Sequence, residues 1–207
     1  MNFSLGIYDV FATAIPGALY LAATLYLTVR FGWVEWQDLA GLDTTMALTG
    51  ALVSSYVLGQ TLGPGMRWCV DGLPMPRSTT DDHRQEFRRR NPTLATRPFI
   101  QADEHTLLAG LRQVSPEAAT EVDRARATGI MLRACSAAFI LGSFVALAET
   151  GVQRHVAAPV AAVALAVLAA LALRGGHKRS GQAVVHTFEC ATWIPDVDER
   201  LAPPPAD

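Results

Sequence analysis

The sequence predicts an all-α protein: a four-helix transmembrane protein with a helical cytoplasmic segment between its second and third spans. Three observations carry that expectation. Of 207 residues, 50% are hydrophobic and only 17% charged, more apolar than a water-soluble domain of this length usually is. Four apolar runs are each long enough to cross a hydrocarbon core. The basic residues gather in the segment between the second and third runs and in the segment after the fourth.

The first run, residues 10–31, carries no charge until Arg30 and as a helix is about 33 Å long, against a hydrocarbon core of about 30 Å. A cleaved secretory signal would need a basic start, and Met1 to Asp9 holds no Lys or Arg. Inside the run, Pro16 removes a backbone hydrogen bond and Gly17 lets a neighbour approach, so the two are a candidate hinge. The second run, residues 44–62, is uncharged and is expected to close at Gly63-Pro64-Gly65, with Arg67 and Trp68 as interface anchors. Near its end Gln60 is a candidate polar contact within the span. Residues 1–63 thus form an N-terminal transmembrane pair.

The third run, residues 129–148, has one charge, Arg133, about a turn from its start. The fourth, residues 156–173, tolerates Pro159 because it falls in the first turn. So few residues separate these runs that 129–173 should form a transmembrane hairpin. Asp9 and Arg133 lie at the same depth near the inner ends of their spans, and an ion pair between them would relieve both desolvation costs.

Residues 64–128 read as helices. Ser78, Thr79 and Thr80, followed by Asp81 and Asp82, signal a helix start, and Asn91-Pro92 an end. With Phe87 its one strongly apolar residue, this helix is expected to stay solvated and to offer Arg84, Arg88, Arg89 and Arg90 to headgroups or a partner. A second helix begins at Asp103 with a stripe of Leu107, Leu108, Leu111 and Val114. Ser115-Pro116 opens a third, with an apolar stripe of Ala118, Ala119, Val122 and Ala125 and no breaker before the third span, and the two stripes can pack as a helical hairpin. Residues 174–207 should bend at Gly175-Gly176, form an amphipathic helix on the inner surface with Trp193 at headgroup depth, and end in a mobile tail through Pro203-Pro204-Pro205.

Orientation follows from the basic residues. Residues 64–128 hold ten arginines, and Arg174, Lys178, Arg179 and Arg200 follow the last span, whereas Arg30 alone stands between the first two. Both termini and the middle segment are therefore expected in the cytoplasm, where Cys69 and Cys190 would stay reduced. Arginine outnumbers lysine sixteen to one in an alanine-rich chain, a bias of high-GC bacterial genomes, so a bacterial plasma membrane is expected.

Little in the chain announces chemistry. Asp81-Asp82-His83 and Asp103-Glu104-His105 contain donors that suit zinc, manganese or iron, but acids at helix starts explain them better. No hydrolase, metalloprotease, phosphate-loop or dinucleotide motif is present, so no catalytic residue, metal or cofactor is expected. A net charge of −2 gives no field for nucleic acid.

The opening Tyr8-Asp9-Val10-Phe11, with Ile15-Pro16-Gly17 after it, resembles the start of small bacterial multi-span membrane proteins of unknown function; Leu58-Gly59-Gln60 fits the same pattern. Some of those proteins are encoded beside anti-phage defence or signalling genes. The resemblance covers about ten residues, implies a membrane effector or anchor and carries over no catalytic residue. The expectation is a non-enzymatic membrane effector, anchor or signalling component whose partners are the lipid bilayer and a second copy or a cytoplasmic protein. The alternatives are an oligomeric channel or transporter subunit and a membrane-bound lipid-modifying enzyme using Asp81, His83, Asp103 or His105.

Overall fold

The computed structural model describes residues 7–35, 37, 41, 43–72, 79–153 and 157–200, with residues 7–9, 67–69, 71, 152–153 and 200 described by backbone alone. Among the described residues every element is helical and there is no strand: α1 (Ile7–Arg30), α2 (Thr44–Asp71), α3 (Thr80–Arg90), short 3-10 turns at Pro92–Leu94 and Pro98–Gln101, α4 (Glu104–Val114), α5 (Pro116–Gln153), α6 (Ala157–Ala191) and α7 (Val197–Arg200). The chain divides into two compact units, Met1–Pro74 with Ile130–Gly176 and Met75–Gly129 with His177–Asp207; α5 and α6 contribute to both.

In the first unit, α1 is long and apolar enough to cross a membrane, and so are α5 and α6, whose lengths extend past this unit. The fourth long helix, α2, is less apolar because Thr44, Thr45, Thr49, Ser54, Ser55, Gln60 and Thr61 dilute its Leu and Val. The unit is apolar on its outside: Met46, Leu48, Leu52 and Val53 of α2, Phe144 and Leu147 of α5, and Val160, Val163, Val167 and Leu171 of α6 are all exposed. Its interior includes small and polar groups, among them Ser55 and Ser136. An apolar exterior this extensive is what helices facing lipid present.

Instead of closing at Gly63-Pro64-Gly65, α2 runs through them to Asp71. Pro64 removes one donor, but the added turns place Val70 and Met66 against Ala137, Ile140 and Leu173, and that apolar contact favours continuation. The α5–α6 pair is tied by Ser143 Oγ donating to the Ala162 carbonyl at 2.9 Å. Ser78 and the tail from Pro203 lie outside the described residues, and the side chains of Arg67, Trp68 and Cys69 outside the described side chains.

The second unit has its own core of Phe87, Phe99, Ile100, Leu107, Leu108, Leu111, Ala119, Val122, Val185, Phe188, Ala191, Ile194 and Val197. Phe87 is its centre, edge-on to Phe99 at 6.1 Å and tilted against Phe188 at 5.8 Å between ring centroids. Each such ring contributes roughly 1.5–3 kcal/mol through burial. Two expectations change here. The solvated α3 instead uses Phe87, 0% exposed, to anchor the core. The bend at Gly175-Gly176 and the surface-lying helix do not form, because α6 passes unbroken through the glycines to bury Val185, Phe188 and Ala191 among the rings.

Local signals set the helix ends. Thr79 caps α3 in a reciprocal box, its hydroxyl accepting from the Asp82 amide at 3.3 Å while Asp82 Oδ2 accepts from the Thr79 amide at 2.6 Å. Asp103 caps α4 by accepting from the His105 amide at 2.9 Å. Near the C-terminus, Asp198 of α7 accepts from the Phe99 amide at 2.9 Å and pairs with Arg97 at 2.7 Å, clamping the 3-10 turn that buries Phe99 and Ile100. The turn into α7 places Asp196 at a φ of 54°, a left-handed conformation that aspartate tolerates better than most residues.

Candidate functional site

The tightest feature of the first unit is the crossing of α1 and α2. Pro16 and Gly17 are both buried, and Gly17 faces Ser55 and Gly59. A methyl group added at Gly17 would overlap the Ser55 carbonyl oxygen, and one added at Gly59 would overlap the Thr13 carbonyl oxygen. Thr13 with Gly17 and Ser55 with Gly59 thus form two small pairs at four-residue spacing, the pattern that lets apolar helices bring their backbones together. The candidate hinge residues lie at this crossing, in a helix continuous from Ile7 to Arg30.

At the far end of α1, Arg30 Nε donates to Glu149 Oε1 of α5 at 2.8 Å. Midway along, Tyr20, 1% exposed, donates its hydroxyl to the Ala134 carbonyl at 3.2 Å. Between α1, α5 and α6 lies an apolar cavity of about 550 Å³, lined by side chains such as Leu19, Phe139 and Leu165, with Tyr26 and Glu149 among its polar groups.

Of the predicted polar pair, Arg133 is half-buried on α5, while the side chain of Asp9 lies outside those described. Gln60 is exposed on α2, its Nε2 donating to the Tyr56 hydroxyl one turn earlier at 3.3 Å. The four α3 arginines are not equivalent. Arg84 is committed to its own unit, pairing with Asp81 at 3.0 Å and donating to the carbonyls of Gln101 and Ala102 at 3.3 and 3.4 Å. Arg89 and Arg90 close on Glu86 at 3.1 and 2.9 Å, and those hydrogen bonds, Arg90's first, hold the Glu86 carboxyl below its usual range. Arg88 is exposed.

The acid-acid-His triplets are spread apart by their structural tasks. Asp82 serves the cap, and the Thr79 amide, then the Thr79 hydroxyl, hold its carboxyl below the ordinary range. Asp103 caps α4, Glu104 pairs with Arg126 of α5, and His83 packs onto Gly181 of α6, where a methyl group would come within 2.5 Å of the ring. Among the described residues no group of three or more His, Cys, Asp or Glu side chains is placed to hold a metal ion. Cys190 Sγ lies 3.9 and 3.8 Å from the two ring nitrogens of His186. Near-equal distances place the sulfur beside the ring and not in line with either lone pair, a poor geometry for an activated thiol.

Beside these, a cleft of about 420 Å³ opens between the α5 and α6 portions of the second unit, lined by Glu121, Arg124, Ala125, Thr128, Arg179 and His186. The sequence pointed to Gly17 as a place of close approach but not to Ser55 and Gly59 as what it meets, nor to this cleft, the Arg30–Glu149 pair or Tyr20. The crossing had a signal in the four-residue spacing of Thr13, Gly17, Ser55 and Gly59. Comparison with family models, curated proteins and solved structures finds no match to the chain.

Proposed function

We propose that the chain is a non-enzymatic integral protein of a bacterial plasma membrane, with four spans and with both termini and residues 64–128 in the cytoplasm. It works as a membrane effector, anchor or signalling component through its second unit. The observation that carries this reading is a folded module with an aromatic core and an arginine-bearing surface, built partly from α5 and α6, two of the three helices that are apolar enough to cross a membrane.

The Arg30–Glu149 contact supports four spans over three. It puts the C-terminal ends of α1 and α5 side by side, so the two helices run in the same direction. A chain that crosses in α1 and crosses in the same direction in α5 must return between them, and α2 is the helix available. The lower apolarity of α2 fits a span that hides Ser55 and Gly59 against α1.

Thiol labelling of cysteine-substituted variants in intact cells tests the topology. Val34→Cys and Gly151→Cys should react with a membrane-impermeant reagent, and Arg88→Cys and Trp193→Cys only after lysis. In-cell photo-crosslinking from position 88 should then give a discrete protein adduct, a second copy or one partner; adducts to lipid alone would refute the docking role.

The exposure of Ser54, Gln60 and Thr61 on α2 favours a second reading, an oligomeric channel or transporter subunit, since a lone protomer would turn these groups toward lipid. Ion flux through reconstituted liposomes that disappears in Gln60→Leu would favour it over the anchor.

A further inference from the structure

We propose that the cavity between α1, α5 and α6 holds the hydrocarbon chain of a membrane lipid, with the lipid's polar head at the Arg30–Glu149 end; the proposal rests on the membrane reading above. The cavity has a volume of about 550 Å³ and reaches along α5 from Glu149 to Ala138, about 16 Å of helix rise. Its room comes from short side chains: Ala138, Gly142 and Ala146 line it at every fourth position of α5, and Ala158 and Ala161 line it from α6. Polar groups gather at one end only. There Arg30 donates to Glu149 at 2.8 Å, and the Tyr26 hydroxyl donates to the same carboxylate. The deep end, at Leu19, Ala138 and Phe139, is apolar.

Position, length and width point to the occupant. Glu149 follows the apolar run 129–148, Ala157 opens the run 156–173 and Arg30 closes the run of α1, so the polar end lies at the edge of the hydrocarbon core. A length of about 16 Å is that of one leaflet, half of a core about 30 Å thick. Volume over length gives a mean section of about 33 Å², less than half of the roughly 80 Å² that a helix about 10 Å across requires. A helix of a second copy or of a partner therefore does not fit, and apolar walls offer water no hydrogen bonds. A lipid chain fits both dimensions. Because Arg30 and Glu149 neutralise each other, the polar end selects no head charge, and the site reads the chain. Three helices contact a chain held there, so it stays while lipids on the open faces exchange.

The test uses the full chain in phosphatidylcholine nanodiscs doped with a phosphatidylcholine that carries a diazirine at the end of one chain. After illumination, adducts are located by peptide mass spectrometry. They should concentrate at Leu19, Ala138 and Phe139. Ala146→Leu/Ala158→Leu, which fills the cavity, should lower them about tenfold, the effect of excluding roughly two methylenes. Either single replacement serves if the double variant unfolds. Ala166→Leu, on an exposed face of α6, should leave the adducts unchanged, and so should exchanging the probe's head for phosphatidylglycerol. Adducts spread evenly onto outward residues such as Val167 and Leu168, or deep adducts undiminished in the filled variants, overturn the proposal. If the thiol-labelling pattern meanwhile stays as expected, the membrane reading survives and the lipid site alone falls.

Discussion

Arg30 and Glu149 stand 119 residues apart in the chain, yet their side chains meet at 2.8 Å at the ends of α1 and α5. Arg30 is more than a third exposed, so the pair contributes only about 0–1 kcal/mol to stability; its value is as a marker of helix direction. In a background with the native cysteines replaced by serine, Arg30→Cys with Glu149→Cys should be joined by a short bifunctional thiol reagent in native membranes. Labelling of the two positions from opposite sides of the bilayer would reject the parallel arrangement and the four-span topology with it.

The α1–α2 crossing should be intolerant of a single carbon. Gly17→Ala forces a methyl group onto the Ser55 backbone, and Gly59→Ala onto that of Thr13. Each should cost about 1–3 kcal/mol or more, because no flexible side chain is available to yield. Gly50→Ala, where the added methyl meets nothing, is the control and should be neutral or slightly stabilising. Thermal unfolding in mild detergent reads the difference.

The second unit should depend on Phe87 more than its solvent-rich helix suggests. Phe87→Ala removes a ring in contact with Phe99 and Phe188 and should cost about 3–5 kcal/mol. Limited proteolysis should then cut residues 79–129 in the variant under conditions where the parent resists.

Acid should loosen α3. Asp82 and Glu86 both have carboxyl groups held below their ordinary range, so their contribution is fully present above the unfolded carboxylate range and is lost as pH falls through the folded values. Amide exchange protection in α3, corrected for the intrinsic pH dependence, should be unchanged between neutral pH and about pH 6 and decline below the usual carboxylate range. Asp82→Asn, which removes the titrating carboxyl, should lower protection at neutral pH and reduce the acid response to the part due to Glu86. An acid response of full size in that variant would remove the cap as its cause.

The parts of this fold that were legible in the sequence are those governed by local chemistry. Long uncharged runs, the caps at Thr79 and Asp103, and Ser115-Pro116 as a start each act within a turn or two of themselves, and the corresponding helices form. What was not legible depended on distant partners. Nothing near Phe87 shows that Phe99 and Phe188 will cover it, so a polar helix with one aromatic reads as solvated. Gly175-Gly176 reads as a bend until the apolar face of Val185, Phe188 and Ala191 finds a core to enter. The cleft was hidden for the same reason, since Arg124 and Arg179 are far apart in the chain and come to line one cleft only through helix pairing.

The crossing of α1 and α2 depends on atoms that are missing. Where Gly17 passes Ser55 and Gly59 passes Thr13, only hydrogen-sized substituents fit, so sliding either helix by one position would bring Pro16 or Ala18, Leu58 or Gln60, into a slot too small for them. The alignment of this pair is thus set by exclusion: the wrong registers are sterically closed, and the right one needs no specific bond to select it.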